Sequence, residues 1–196
     1  MPYLTFKEKD DNITWSEIQQ VIFQSHDSNR KKGVDIHNAH LSPEELENAV
    51  GIDGKCFVAL DGEKVVGTCS VAFKERNVWY AKGRVAYLLL AAVHPNYKGQ
   101  QIFTKLSDLR MKYIISSGCT TLYMNIAEHN YIRRSIAKKE GFSPVAINYN
   151  PYNPHNYITY CYWTGQRPCS KIIIMVRFCI SMAKLYLRKI KRILVN

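Results

Sequence analysis

Residues 85–93 read Val-Ala-Tyr-Leu-Leu-Leu-Ala-Ala-Val, nine positions without a charge. A run this continuous has no polar face to offer water. It suits a strand covered on both sides, which requires structural layers above and below it. His94-Pro95 ends the run, because proline removes a ladder donor. With 196 residues the chain has room for one such layered domain and an appendage, and little for two independent domains. A hydrophobic share of 46% and a charged share of 22% exclude wholesale disorder.

The flanking pattern supplies the other elements. A short strand is expected near Leu4 and Phe6, and Trp15, Ile18 and Ile22 recur at helical spacing, predicting a helix from residue 14 toward 28. Ser42-Pro43-Glu44-Glu45 carries a capping-box signature for a second helix, closed by Gly51. Residues 56–60 and 65–71, separated by Asp61-Gly62, read as a β-hairpin. After Lys98-Gly99, Ile102, Leu106, Leu109 and Tyr113 mark a helix ending near Gly118. Leu122, Met124 and Ile126 alternate as a strand, and a short helix runs from Asn130 to Gly141. Residues 143–149 and 157–164 are closing strands, joined by the Asn/Pro-rich 150–154. The order is that of an α+β sheet with some parallel pairing and helices on both faces. The expected domain is residues 1–167, with 168–196 as a C-terminal amphipathic helix.

The net charge of +11 is unevenly placed. Residues 169–196 hold seven Lys/Arg and no acid, leaving only +4 elsewhere. Lys171, Arg177, Ser181, Lys184, Arg188 and Lys191 form one narrow polar stripe, and apolar side chains cover the remaining circumference. No apolar stretch reaches the ~20 residues of a spanning helix. The pattern fits residues 171–195 lying on an anionic membrane surface, with packing on the domain or a homodimer interface as alternatives. Nucleic-acid binding ranks last, for want of interleaved planar side chains. Residues 1–12 lack an apolar signal region, and the six cysteines form no CxxC pair. Reduced thiols and a cytoplasmic location, peripheral at the inner face of the membrane, are therefore expected. The histidines show no metal spacing, and no metal site is expected.

The residues with chemistry begin at the end of the central strand. Val93-His94-Pro95-Asn96-Tyr97-Lys98-Gly99-Gln100-Gln101 leads a buried strand through a basic, glycine-containing turn into a helix. Unpaired helix-start amides and the helix dipole make such a turn an anion cradle, suited to a pyrophosphate. Together with Asn130 and, eleven residues on, Gly141-Phe142, the segment resembles the GNAT acyltransferase superfamily. There, a strand ending in Val-x-Pro-x-Tyr-Arg-Gly-x-Gly leads into the cofactor helix, and an Asn…Gly-Phe helix follows. Val93, Pro95, Tyr97, Lys98, Gly99, Asn130, Gly141 and Phe142 stand at the matching positions. The resemblance spans residues 4–164.

What the resemblance implies is specific. The fold would be a mixed, mostly antiparallel twisted sheet with a V-shaped split between two central parallel strands. Acyl-CoA, most simply acetyl-CoA, would lie in that split as co-substrate. Main-chain groups of Ala91, Ala92 and Val93 would bond the pantetheine arm. The amides of Lys98, Gly99, Gln100, Gln101, Ile102 and Phe103 would take the pyrophosphate, and Asn130 would reach the pantetheine end. The reaction would be direct transfer of an acetyl group to a primary amine, with an oxyanion held by a backbone N–H near Val93.

Three positions depart from the family pattern. Gln101 and Phe103 replace small residues, and Ala137 stands where many members carry a tyrosine acid. No Asp or Glu lies between Glu75 and Asp108, so Glu128 is the acidic candidate for a base. Its plainer reading is a solvated carboxylate. Tyr87 and Tyr131 are the phenols available to relay a proton through water, although tyrosines in such elements are more often core. A chain of ordered waters is the remaining alternative. The acceptor loops contribute Arg30, Lys31, Lys32, His37 and His40, then Tyr149 and His155. A basic, amide-rich rim suits a small-molecule amine such as an amino sugar or a cell-surface glycan or lipid precursor. A solvated basic turn is the simpler account of Arg30 and Lys31. The alternative function is a non-catalytic CoA- or partner-binding module brought to a membrane by its tail.

Overall fold

The capping box that the sequence expects at Ser42 forms, and a second one, which the sequence reading did not single out, forms at Thr14. Thr14 and Glu17 exchange backbone and side-chain hydrogen bonds at the start of α1 (Trp15–Ser25), and Ser42 with Glu45 does the same for α3 (Pro43–Val50). The structure is a computed structural model and describes residues 3–31, 37–148, 156–165 and 167–195. Two compact units emerge, Met1–Lys74 with Ala86–Cys119, and Glu75–Val85 with Thr120–Asn196.

In the first unit, β1 (Leu4–Glu8), β2 (Lys55–Asp61), β3 (Lys64–Val78) and β4 (Ala81–Val93) are neighbours in that order. The β1–β2 and β2–β3 pairings are antiparallel, and Gly62 at φ 60° turns the hairpin so that Asp61 faces Lys64. α1 and α3 bury Ile18, Ile22, Leu46 and Val50 with Val58 and Leu60. The other strand face takes α4 (Ile102–Ser116), whose Leu106 carbonyl lies 3.4 Å from Cys69 Sγ. Alternation of side chains along β2 and β3 places these helices on opposite faces. Gly67 lets α4 approach: a Cβ there would stand 2.7 Å from Ile102 Cγ2 and 3.3 Å from Leu106 Cδ1.

The second unit has β5 (Thr121–Ala127), β7 (Tyr157–Trp163) and β6 (Ser143–Asn148) in spatial order 5-7-6, all antiparallel. α5 (Tyr131–Lys139) ends at Gly141, whose φ of 87° turns the chain into β6 beside Tyr162. The C-terminal helix α6 (Lys171–Val195) packs on β6, with Ile174 and Leu185 buried and Phe178, Ser181 and Met182 half-buried. Burying Ile174 and Leu185 contributes about 2 kcal/mol each. Ser181 was read with the polar stripe, yet its hydroxyl accepts a hydrogen bond from Ile147 N at 3.4 Å. The opposite face, with Ile172, Val176, Ile180 and Leu187, remains exposed.

Two boundaries differ from the periodicity. The first helix stops at Ser25, where His26 N bonds back to the Phe23 and Gln24 carbonyls. A separate turn, α2 (Asp27–Arg30), follows, and Asp27 pairs with Arg30 (3.4 Å) and Lys31 (2.9 Å). β3 and β4 run well past residues 71 and 85 into the arm 75–85, where the sequence is charged and loses alternation. Polar-aromatic contacts hold that arm within the second unit. Arg76 lies 4.9 Å over the Tyr123 ring and bonds its hydroxyl at 2.7 Å, and Trp163 Nε1 donates to the Tyr80 carbonyl at 3.1 Å. The expected joining segment 150–154 lies outside the described residues.

The approach at Gly67 predicts that Gly67→Ala destabilises the protein by about 1–3 kcal/mol, the usual penalty of overpacking a filled interface. Urea unfolding measures it, and a midpoint equal to that of the unmodified protein would contradict the packing described.

Candidate active site

In the first unit the sequence-predicted cradle is built from the end of β4 upward. Leu90, buried and non-glycine, has φ 51°, so the strand is kinked immediately before Ala91, Ala92 and Val93. Such backbone strain costs about 1–3 kcal/mol and persists only where surrounding packing enforces it. The chain then turns through a single 3-10 turn, Pro95–Tyr97, locked from two sides. His94 Nδ1 accepts from Asn96 N at 3.2 Å, and burial lowers the imidazole's proton affinity, consistent with an unprotonated acceptor nitrogen. The Tyr97 hydroxyl donates to Asp61 Oδ2 at 2.7 Å, a bond that raises the phenol's pKa.

Beyond this rigid turn, Lys98, Gly99, Gln100 and Gln101 are exposed. Gln101 is the N-cap residue of α4, in the left-handed region (φ 57°, ψ 17°), and its side chain makes no capping bond. The amides of Ile102, Phe103 and Thr104 have no carbonyl four residues back within the helix. A side chain at Gly99 (φ 82°) would meet nothing within 4 Å. The helix start and the Lys98 ammonium beside it in sequence make a positive end that fits an anion with several oxygens, as in a diphosphate.

In the second unit, the strand β5 delivers Glu128. Its backbone N bonds the Asn156 carbonyl at 2.8 Å, and its own carbonyl accepts from Arg134 Nη1 at 2.6 Å. The carboxylate receives Asn156 Nδ2 on Oε2 (2.6 Å) and the Tyr186 hydroxyl on Oε1 (2.8 Å). Asn130 caps α5, its side chain accepting from Arg133 N at 3.0 Å. Tyr131 is 72% exposed, with the Arg134 guanidinium 5.4 Å from its ring centre.

The sequence model of the acetyltransferase (GNAT) family matches residues 16–142, more than half of the chain. The chain belongs to that family. Solved structures share its fold at low identity. A probable acetyltransferase from Staphylococcus epidermidis superposes with a TM-score of 0.63 at 19% identity, covering 83% of this chain and 99% of its own. The ribosomal-protein-S18-alanine N-acetyltransferase of Escherichia coli gives 0.62 at 14%, covering 83% and 95%. An aminoglycoside 6'-N-acetyltransferase complexed with coenzyme A gives 0.56 at 16%, covering 84% and 99%. No curated protein matches by sequence. The protein is an acyl-CoA-dependent N-acetyltransferase with the mixed, mostly antiparallel fold of its family.

The sequence-predicted site residues of this acetyltransferase separate by unit. Ala91, Ala92, Val93 and residues 98–103 line the end of β4 and the start of α4. Tyr87, half-buried on β4, has the Lys74 ammonium 5.1 Å from its ring centre. Arg30 and Lys31 both pair with Asp27, and Arg30 also donates to the Phe23 carbonyl at 2.7 Å. His37 begins a 3-10 turn, and Tyr149 lies outside the described residues. Ala137, at the position of the family's usual acid, is fully buried. Asn156 and Tyr186 were not anticipated. Tyr186 is counted in the sequence with the apolar circumference of the tail. The signal for it is the docking seam Ile174, Phe178, Ser181, Leu185, spaced four, three and four, which points the next residue toward the end of β5.

The left-handed conformation explains why glycine is usual at position 101. Gln101→Gly removes a backbone penalty of about 1–2 kcal/mol, partly offset by chain entropy, so a net gain near 1 kcal/mol is expected. Its exposed side chain leaves the amides open, and calorimetry should show acetyl-CoA binding by both forms. Binding by the glycine variant alone would mean that Gln101 closes the cradle.

Proposed function

We propose that this acetyltransferase acetylates the primary amine of a small molecule, an amino sugar or a cell-surface glycan or lipid precursor, with Glu128 as the proton acceptor. The observation that carries the reading is the half-buried Glu128 carboxylate, fixed by two side-chain donors at the end of β5. Acetyl-CoA supplies an acyl thioester. The amides at the α4 start hold its diphosphate, and Lys98 offsets part of its charge. Backbone near Val93 supplies the N–H for the developing oxyanion. Glu128 removes the proton that the amine must lose, and Tyr131, exposed on α5, passes a proton through water. Asn130 serves the pantetheine end through the amide nitrogen left over from capping. The small-molecule acceptor draws support from the likeness in fold to the aminoglycoside acetyltransferase. The Escherichia coli relative, named for a ribosomal protein, makes a peptide amine the natural control.

Glu128→Gln should lower kcat about 10²–10⁴-fold while leaving acetyl-CoA affinity unchanged. Thiol release from acetyl-CoA with glucosamine 6-phosphate, a nucleotide-linked amino sugar, spermidine and an N-terminally free peptide checks it. Turnover confined to the peptide would overturn the acceptor class. Unchanged kcat would remove Glu128 from the chemistry.

The same reading places the enzyme at the inner face of a membrane, through the face of α6 that β6 does not cover. Ile172, Val176, Ile180 and Leu187 share one exposed side, bordered by Arg177 and Lys184, in a segment without acids. No described helix is long and apolar enough to cross a bilayer, so the contact would be interfacial. Val176→Glu with Ile180→Glu should abolish sedimentation with phosphatidylglycerol vesicles. Sedimentation that persists, or a concentration-dependent dimer that the pair of substitutions dissolves, would assign this face to something other than lipid.

A further inference from the structure

The polar partners of Glu128 come from two directions. Asn156, 2% exposed, precedes β7 and locks both the main chain and Oε2 of Glu128. Tyr186 belongs to α6, 58 residues away in sequence, and meets Oε1 at 2.8 Å. Its reach is set by packing, because the adjacent Leu185 is buried and Ser181, one turn earlier, bonds the Ile147 amide. A tyrosine has only two side-chain torsions, so seating Leu185 fixes where the hydroxyl lands. The tail is thereby attached to the candidate catalytic carboxylate by a bond as well as by an apolar seam.

We infer that Tyr186 is a positioning residue for Glu128: the C-terminal helix completes the active site by holding the carboxylate in one rotamer and favouring its ionised form. The inference rests on the reading of Glu128 as proton acceptor. A phenol that donates to a carboxylate stabilises the charge on it. The reciprocal effect is visible on the phenol, whose pKa is raised first by its bond to Glu128 and then by burial. The other groups around Glu128 are Arg134, which meets its backbone carbonyl, Tyr131, which acts electrostatically on Tyr186, and the neighbouring His129. The ring of Tyr186 stays partly exposed, so a proton from an acceptor amine can approach the pair from solvent.

The test uses the full chain and needs no acceptor. Carbon-13 NMR of glutamate-labelled protein follows the δ-carboxyl of Glu128, identified by its loss in Glu128→Gln. Tyr186→Phe removes one oxygen and keeps the ring. Its expected effect is an upward shift of the Glu128 titration midpoint by about 0.5–1 pH unit. With any amine of the panel that turns over, the acid limb of kcat/KM should move up by the same amount, with acetyl-CoA affinity unchanged. Met175→Ala, exposed on α6, serves as control and should leave both midpoints in place. A Phe variant that titrates like the unmodified protein, or a Met175→Ala shift of equal size, overturns the inference. The proposed chemistry fails separately, by an unaltered kcat in Glu128→Gln.

Discussion

The bare Cα of Gly67 sets where α4 can lie, and the candidate anion-binding end of the first unit follows from it. Ile102 and Leu106 settle against β3 only because no Cβ intervenes. Ile102 is also the first residue of α4. Its burial therefore fixes the position and direction of the helix start, and with them the direction of the first amides of the helix. The turn before it is held independently, by Tyr97 on Asp61 and by His94 on the Asn96 amide. Between these anchors the backbone must pass residue 101 in the left-handed region, where glutamine is tolerated at some cost and its side chain is turned to solvent.

The second unit obeys a different constraint, the need to satisfy a half-buried carboxylate. Glu128 is bonded through its amide, its carbonyl and both carboxylate oxygens. A network of this kind is rigid when complete and costly when one member is missing. Its last member comes from α6, which ties a basic, amphipathic tail to the end of β5. The tail thus has two distinct faces. Ile174, Phe178 and Leu185 dock on β6, and Ile172, Val176 and Ile180 look outward with Arg177 nearby.

Much of the architecture was legible because it is locally encoded. The capping box at Ser42, the Asp61-Gly62 turn and the glycine after α5 each act over three or four residues, and each stands where the sequence puts it. The succession of strand, glycine turn and helix from Val93 to Ile102 was legible for the same reason. The arm 75–85 was not, since its strands are held by Arg76 on Tyr123 and Trp163 on Tyr80, contacts between residues some 47 and 83 positions apart. Periodicity carries no trace of such pairs.

The sequence by itself determined the elements, the family and the acid available at the end of β5, because hydrophobic period, caps and turn residues act within a few positions. Tertiary structure alone decided that Ser181 faces β6 instead of solvent and that Tyr186 reaches Glu128. A helix with apolar residues around most of its circumference does not say which side will be covered. That choice belongs to the surface it meets, and here the surface of β6 turned one tyrosine of the tail toward the carboxylate.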